Sequence, residues 1–431
     1  LTINLGVRYE FTEPLYEKYG RAANLDLAPG FTGVALVTPG ETGPYTGAFP
    51  QALIDPDRNN FAPRIGIAWR PWVKKPALIR TGYGVYHNGS IYNNLVGRLA
   101  QQPPFAYTTA QSTSVLNPLT IQSGFTSPPV IDGILNTYAV ARDYRTGYAQ
   151  TWNFAVQHPL PWQLILEVGY LGTKGTRLDI QRLPNQAPPG SPTDSENRRP
   201  VPDAVGFILD TSVGNSVYHA GQARLTRRMR RGVSFNALYT FGKSIDNVST
   251  YGGGQTVVVQ NDNDLSAERG LSSFDQRHTF RFGFLLLSPF GSNTTTPLEG
   301  GSGTLLKDWT LNGNVTASSG TPFTALVRGN RADGAGTGVV GSSRADASGL
   351  PVDSGDGFFN TAAFVIPVAN TYGNAARNTI PGLPSFAVNA SLGRSFALGS
   401  DRRALEFRVE AENLLNNVNY TGIGTTVNAQ N

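Results

Sequence analysis

Four histidines, His87, His158, His219 and His278, are where metal or acid–base chemistry would first be sought. No two share an i, i+2 or HExxH spacing, so neither a zinc site nor a metallohydrolase centre is specified. They are expected at interfaces or in loops. Cysteine is absent, which removes disulfides, thiolate metal sites and cysteine nucleophiles. A second group is more regular. Arg8, Glu10, Glu167, Arg281, Glu406, Arg408, Glu410 and Glu412 stand at alternate positions of otherwise apolar segments. Such a row could line a selective, water-filled passage or dock another domain. The plainer and preferred reading is a ladder of cross-strand ion pairs, at roughly 0.2–1 kcal/mol each.

Three further segments invite chemistry. The Gly-rich run 328–357 carries Asp333, Asp346, Asp353 and Asp356, oxygen donors of the kind calcium takes. It lacks the DxDxDG spacing with a closing Glu, so a mobile loop is the first expectation and calcium the second; 260–270 is read alike. No other cofactor is expected. RLTRRMRRG (224–232) is the one basic cluster. It falls on a short turn, where Arg227, Arg228, Arg230 and Arg231 would meet anionic lipid headgroups. No nucleic-acid-binding module or basic stripe accompanies it, so no nucleic acid is expected as a partner. GYLGTKGTR (169–177) lacks the P-loop pattern and reads as a strand entering a loop. With no Ser/His/Asp or paired-acid constellation in one layer, an enzyme is not expected.

The elements that must carry these residues show one rhythm. Leu1, Ile3, Leu5, Val7, Tyr9 and Phe11 alternate with Thr2, Asn4, Gly6, Arg8 and Glu10; Leu405, Phe407, Val409 and Ala411 alternate with Glu406, Arg408, Glu410 and Glu412. Period two places the two sets on opposite faces of a strand. The same reading gives strands near 1–11, 64–70, 77–87, 150–158, 163–172, 219–229, 233–243, 276–287, 309–318, 385–396 and 404–412. Arg394 falls on the apolar face, where a place near an interface with its stem snorkelling is expected. No stretch is long and apolar enough for a membrane helix, and mean hydropathy is −0.22.

Connections alternate between long and short. Residues 12–63, 88–149, 173–218, 244–275 and 319–384 are long and rich in Gly, Pro, Asn, Ser and Thr; 71–76, 158–162, 229–232 and part of 397–403 are tight turns, and 288–308 is an intermediate exception. Apolar-out, polar-in strands with this asymmetry define an all-β, antiparallel transmembrane barrel in a bacterial outer membrane, with long extracellular loops and short periplasmic turns. Trp72, Trp162 and Trp309 would belong to the periplasmic aromatic girdle. Such barrels have even strand numbers, so about eleven strands, with no inward closing strand, imply an incomplete barrel and a chain that is part of a longer protein.

Ordered strings add a family resemblance. NNFAPRIGIAWRP (59–71), IRTGYGVYH (79–87), YTFGKSIDNVS (239–249), FDQRHTF (274–280), WTLNGNVTASSGTPFTA (309–325), FFNTAAF (358–364), YGNAARNTIPG (372–382) and LEFRVEAENLLNNVNY (405–420) resemble Oar-like TonB-dependent receptors. The resemblance covers nearly the whole chain. It implies that residues 1–431 are the C-terminal part of a 22-stranded barrel domain, without its plug or closing strand. It also implies a large substrate of unknown identity, captured by extracellular loops and gated by the plug, and a TonB complex engaged through the absent plug segment. A non-energised porin or adhesin barrel is the alternative.

Overall fold

The computed structural model describes residues 1–72, 76–107, 120, 133–189, 196–249, 259–288, 306–327, 343–353, 358–368, 371–397 and 403–427. Its main element is a 13-stranded sheet whose continuous path has eleven antiparallel strands in chain order. They are β1 (Thr2–Tyr9), β2 (Phe61–Trp69), β3 (Leu78–His87), β4 (Tyr148–Leu160), β5 (Leu164–Arg182), β6 (Ile208–Arg230), β7 (Val233–Asp246), β8 (His278–Leu287), β9 (Trp309–Ser318), β10 (Ser385–Ala397) and β11 (Ala404–Ala411). The two strands off this path are short: Tyr138–Val140 runs parallel to β6, and Gly270–Leu271 pairs with β7.

Register carries the two-faced pattern from edge to edge. Directly opposed residues share a face. Ile3 opposes Ile67, Phe235 opposes Phe284, Phe282 opposes Val315, and Leu392 opposes Val409. On the other face Gly6 opposes Arg64, Glu167 opposes Arg224, and Ser391 opposes Glu410. Ten successive pairings preserve this parity in the membrane-height part of the wall. A one-residue slip would have inverted it.

The connections 10–60, 88–147, 183–207, 247–277 and 319–384 leave one end of the sheet; the turns and the intermediate segment 288–308 leave the other. Turns are built for reversal: Trp162 and Gln163 in the Pro161–Gln163 turn both have φ near 60°, as do Arg231 (φ 49°) and Gly232 (φ 73°) between β6 and β7. At Gly232 a Cβ would also press on the Leu287 carbonyl at 2.6 Å, so glycine is required there twice over.

The sequence reading differs from the structure at the extracellular ends of two strands. Loops were expected from 173 to 218, yet β5 runs 19 residues to Arg182 and β6 runs 23 residues from Ile208. Their pairing continues through shifts between Thr176 and Ile180. GYLGTKGTR is therefore strand throughout, and RLTRRMRRG is mostly the end of β6, with only Arg231 and Gly232 in the turn.

The packed cores lie in the loops rather than in the wall. One cluster joins Phe49, Leu53, Tyr92, Leu95, Tyr138, Tyr144, Ile180, Leu183 and Val259. Tyr92 and Leu95 come from the helix α1 (Tyr92–Leu99). A neighbouring cluster joins Leu25, Ala139, Phe207 and Leu209, and a third joins Val327, Ala345, Phe364 and Ile380. The connections thus form a packed cap over the extracellular end. The physical reason is that apolar residues in these segments face water, not lipid, and must bury one another.

Candidate functional site

The charged residues expected in the lumen all lie on the polar face, or just beyond it, but their pairing corrects the ladder reading. Arg8 pairs with Glu10 at 3.1 Å, and Arg408 with Glu406 at 2.5 Å and Glu410 at 3.4 Å, all within one strand or its extension. Arg80 reaches Glu167 at 3.7 Å across the intervening β4, and this pair alone of the four spans strands. Arg281 lies between Leu238 and Thr316 in the register, and Glu412 follows β11. The edge strands β1 and β11 each have one sheet neighbour among the described residues, so their long side chains pair along the strand instead.

Around Glu167 the lumenal wall opens into a recess of about 220 Å3 lined by Arg80, Asn153, Glu167, Gln222 and Arg224. Small residues make its floor: a Cβ on Gly169 would meet the Phe154 carbonyl at 3.1 Å. Two guanidiniums and two carboxamides around a single carboxylate make this part of the polar face net cationic.

Trp72 and Trp162 stand at the turn end, Trp162 being 78% exposed. Trp309 opposes Arg394 in the register. Arg394 was expected to snorkel. It is buried instead, its guanidinium 5.7 Å from the Trp309 ring and 4.5 Å from the Phe396 ring. Cation–π contact keeps that charge on the apolar face. Two of the histidines face outward. His219 and His278 lie on the outward face of β6 and β8, where each Nδ1 meets a tyrosine hydroxyl: Tyr170 at 2.6 Å and Tyr239 at 2.7 Å.

Two buried polar centres organise the cap, and sequence spacing signalled neither. In the first, the Tyr138 hydroxyl donates to Asp210 Oδ2 and the Tyr144 hydroxyl donates to Asp179 Oδ1 at 3.0 Å. Arg98 from α1 stacks 3.7 Å over the Tyr138 ring and lies 3.6 Å from Asp210. Asp179 follows the Pro161–Gln163 turn by about 15 residues. At roughly 3.3 Å each and a tilt near 45°, that carries it about 35 Å up the wall, beyond an apolar band of about 25 Å. Burial, and then repulsion from Asp179, push the Asp210 carboxyl up to about 7. Burial likewise raises Asp179. One arginine facing two carboxylates leaves room for a shared proton.

The second centre draws together strings that are far apart in the sequence. Arg377, from YGNAARNTIPG, is fully buried against Asp246, from YTFGKSIDNVS, at 3.3 Å. It also donates to the Glu268 carbonyl at 2.5 Å and to the Ser249 carbonyl. Asn378 receives Thr324 Oγ1 on its Oδ1 at 3.0 Å, and its backbone N–H returns to that hydroxyl at 2.8 Å. Asp275, from FDQRHTF, accepts from Ser244 N at 2.5 Å. Gly373 packs so closely on Arg344 that a Cβ would meet its carbonyl at 1.9 Å.

The acidic run 260–270 is tied into this framework. Asp262 accepts from Arg182 Nε and Nη2 at 2.9 and 2.8 Å, Asp264 caps the 265–268 turn, and Glu268 pairs with buried Arg344 at 3.0 Å. Desolvation raises Glu268 against the pull of Arg344. In the run 328–357, Asp333 and Asp356 lie outside the described residues, and Asp346 Oδ1 accepts from Asn374 N at 2.8 Å.

The cap surface carries two clefts. A polar one of about 320 Å3 is lined by Asp55, Asp57, Arg58, Asn59, Asp143 and Arg145. An apolar one of about 400 Å3 is lined by Ala325, Phe359, Phe364, Ile380, Thr426 and Val427.

A two-faced antiparallel wall with its five longest connections at one end is the geometry that a family comparison can test. The model of the outer membrane beta barrel domain matches residues 1–431. The chain belongs to that family. This outer-membrane barrel domain accordingly resides in the bacterial outer membrane and crosses it with strands. No curated protein matches the chain. Solved structures similar to it include the outer membrane transporter YddB from Escherichia coli (TM-score 0.46, 11% identity, 83% of this chain and 37% of that one). FpvA from P. aeruginosa, bound to heterologous pyoverdines, gives TM-score 0.43 and 9% identity over 98% and 36%. The FrpB iron transporter from Neisseria meningitidis gives 0.37 and 9% over 83% and 35%. The chain spans about a third of the length of these structures.

Proposed function

We propose that this barrel domain is the C-terminal part of an Oar-like TonB-dependent receptor, whose whole barrel has about 22 strands and a plug. In this reading the cap captures a large substrate, the polar lumenal face lets it pass, and a TonB-engaged plug outside this chain gates the passage. Binding and gating carry the function, not covalent chemistry. The observation that supports it best is the pairing of a continuous two-faced wall with a cap that has its own packed cores and two clefts. Ordered capture surfaces are what a selective receptor needs, whereas a general diffusion channel needs only an open mouth.

The test uses the full-length protein in its native host. Uptake of labelled nutrients or peptides is compared in wild-type, tonB-deleted and receptor-deleted cells. A receptor gives uptake that needs both genes and disappears when proton-motive force is collapsed. Uptake that survives tonB deletion assigns the barrel to the non-energised porin class and overturns the proposal.

A further inference from the structure

The outward face of β5–β8 holds a feature that neither transport nor gating uses. Lys174, His219, Lys243 and His278 occupy outward register positions on four consecutive strands. His219 and Lys243 are directly opposed across the β6–β7 pair. No acid occupies an outward position among Leu164–Thr176, Val217–Arg227, Val233–Ile245 or His278–Leu286 to meet the two lysine ammoniums. A counterion from outside the chain is what such a patch lacks.

Height decides where it lies. Lys174 is about 10 residues above the Pro161–Gln163 turn and Lys243 about 10 above the Arg231–Gly232 turn. At roughly 3.3 Å per residue and a tilt near 45°, both stand about 23 Å up, at the rim of an apolar band of about 25 Å. Directly below lie Tyr170 and Tyr239, whose hydroxyls engage the Nδ1 atoms of His219 and His278. Each Nε2 is then the ring nitrogen left for a ligand. The Trp152 ring lies 6.1 Å from His219 and stands among the same group. Lys174 Nζ rests on Asn215 Oδ1 at 3.2 Å, and Lys243 is exposed.

The geometry points to a binding site for a phosphorylated lipid of the outer leaflet, its phosphate held by Lys174, Lys243 and the two histidines, its acyl chains lying on the Phe and Tyr surface of β7 and β8. Cations above an aromatic belt complement an anionic headgroup above hydrocarbon. The site is independent of the receptor reading.

The full-length protein, purified in nonionic detergent, is titrated with a bis-phosphorylated diglucosamine lipid. Separate titrations use the same lipid without phosphates and inorganic phosphate alone. Binding is read from tryptophan fluorescence and native mass spectrometry. The phosphorylated lipid is expected to bind, loss of its phosphates to weaken binding tenfold or more, and millimolar phosphate to leave it undisplaced. Lys174→Gln/Lys243→Gln is expected to weaken binding about tenfold or more, and Arg227→Gln, at the opposite end of the wall, to leave it unchanged. Lys243→Glu, at an exposed position that puts folding at little risk, must weaken it as well. Equal binding of the dephosphorylated lipid, displacement by free phosphate, or unchanged binding by Lys243→Glu overturns the assignment.

Discussion

Asp210 makes the cap sensitive to pH. Its carboxyl is raised to about 7 chiefly by burial and then by Asp179. Between its ordinary value and 7 the folded cap therefore holds a proton that the unfolded chain releases, so stability falls as pH rises through that window. Amide exchange in 138–146 and 208–212, corrected for intrinsic rates, is expected to be slower at pH 5 than at pH 8. Asp210→Asn keeps the acceptor for Tyr138 and should flatten that difference; a variant with the wild-type pH profile would remove Asp210 as the cause. Arg377 tests the other centre. Arg377→Met leaves Asp246 buried without its cation, a change that costs about 3–5 kcal/mol when nothing else compensates. Val248 N, Ser249 N and Ser249 Oγ still bond Asp246, so the loss should fall near the lower end. Limited proteolysis of the 319–384 connection is the measurement, and cleavage no faster than in wild type would refute it.

At the scale of elements, the membrane imposes a rule that can be checked face by face. Phe282 and Asn314 lie on β8 and β9 with opposite outlooks. Phe282→Arg should lower the unfolding free energy in lipid by about 2–4 kcal/mol, and Asn314→Arg by much less, as read by denaturant titration in vesicles. Comparable losses would mean that the faces are assigned wrongly. The same rule explains what the sequence disclosed. Strand ends next to periplasmic turns, such as Leu164, Val233 and Trp309, were legible to a residue or so because lipid on one side and water on the other force strict alternation. Above the band that constraint lapses. Gly175–Arg182 and Ile208–Ser216 keep their ladder without the pattern, so half of β5 and β6 read as loop. The cap centres were illegible for another reason: Arg98 and Tyr138 of one connection meet Asp210 of β6 only through the fold, and no spacing along the chain encodes that meeting.

For the whole molecule, the connections act as one body rather than five separate loops. Val259 packs into the core built by the first loops, while the next residue, Gln260, bonds Gly373 and Arg344 in the last. Gln260→Ala is expected to raise exchange in 343–347 and 373–378 together, while leaving β7 and β8 unchanged; protection lost in only one of those segments would show that they open separately. The hairpin of β5 and β6 then acquires a mechanical meaning. It is one long ladder that starts near the periplasmic end and, through the shifts between Thr176 and Ile180, runs into the cap, where Ile180 and Ile208 join the core. A load applied along it acts on many hydrogen bonds in parallel, as in a rope whose fibres share the strain. The cap is therefore moored to the depth of the bilayer, and any pull on the cap is felt at the far side of the membrane.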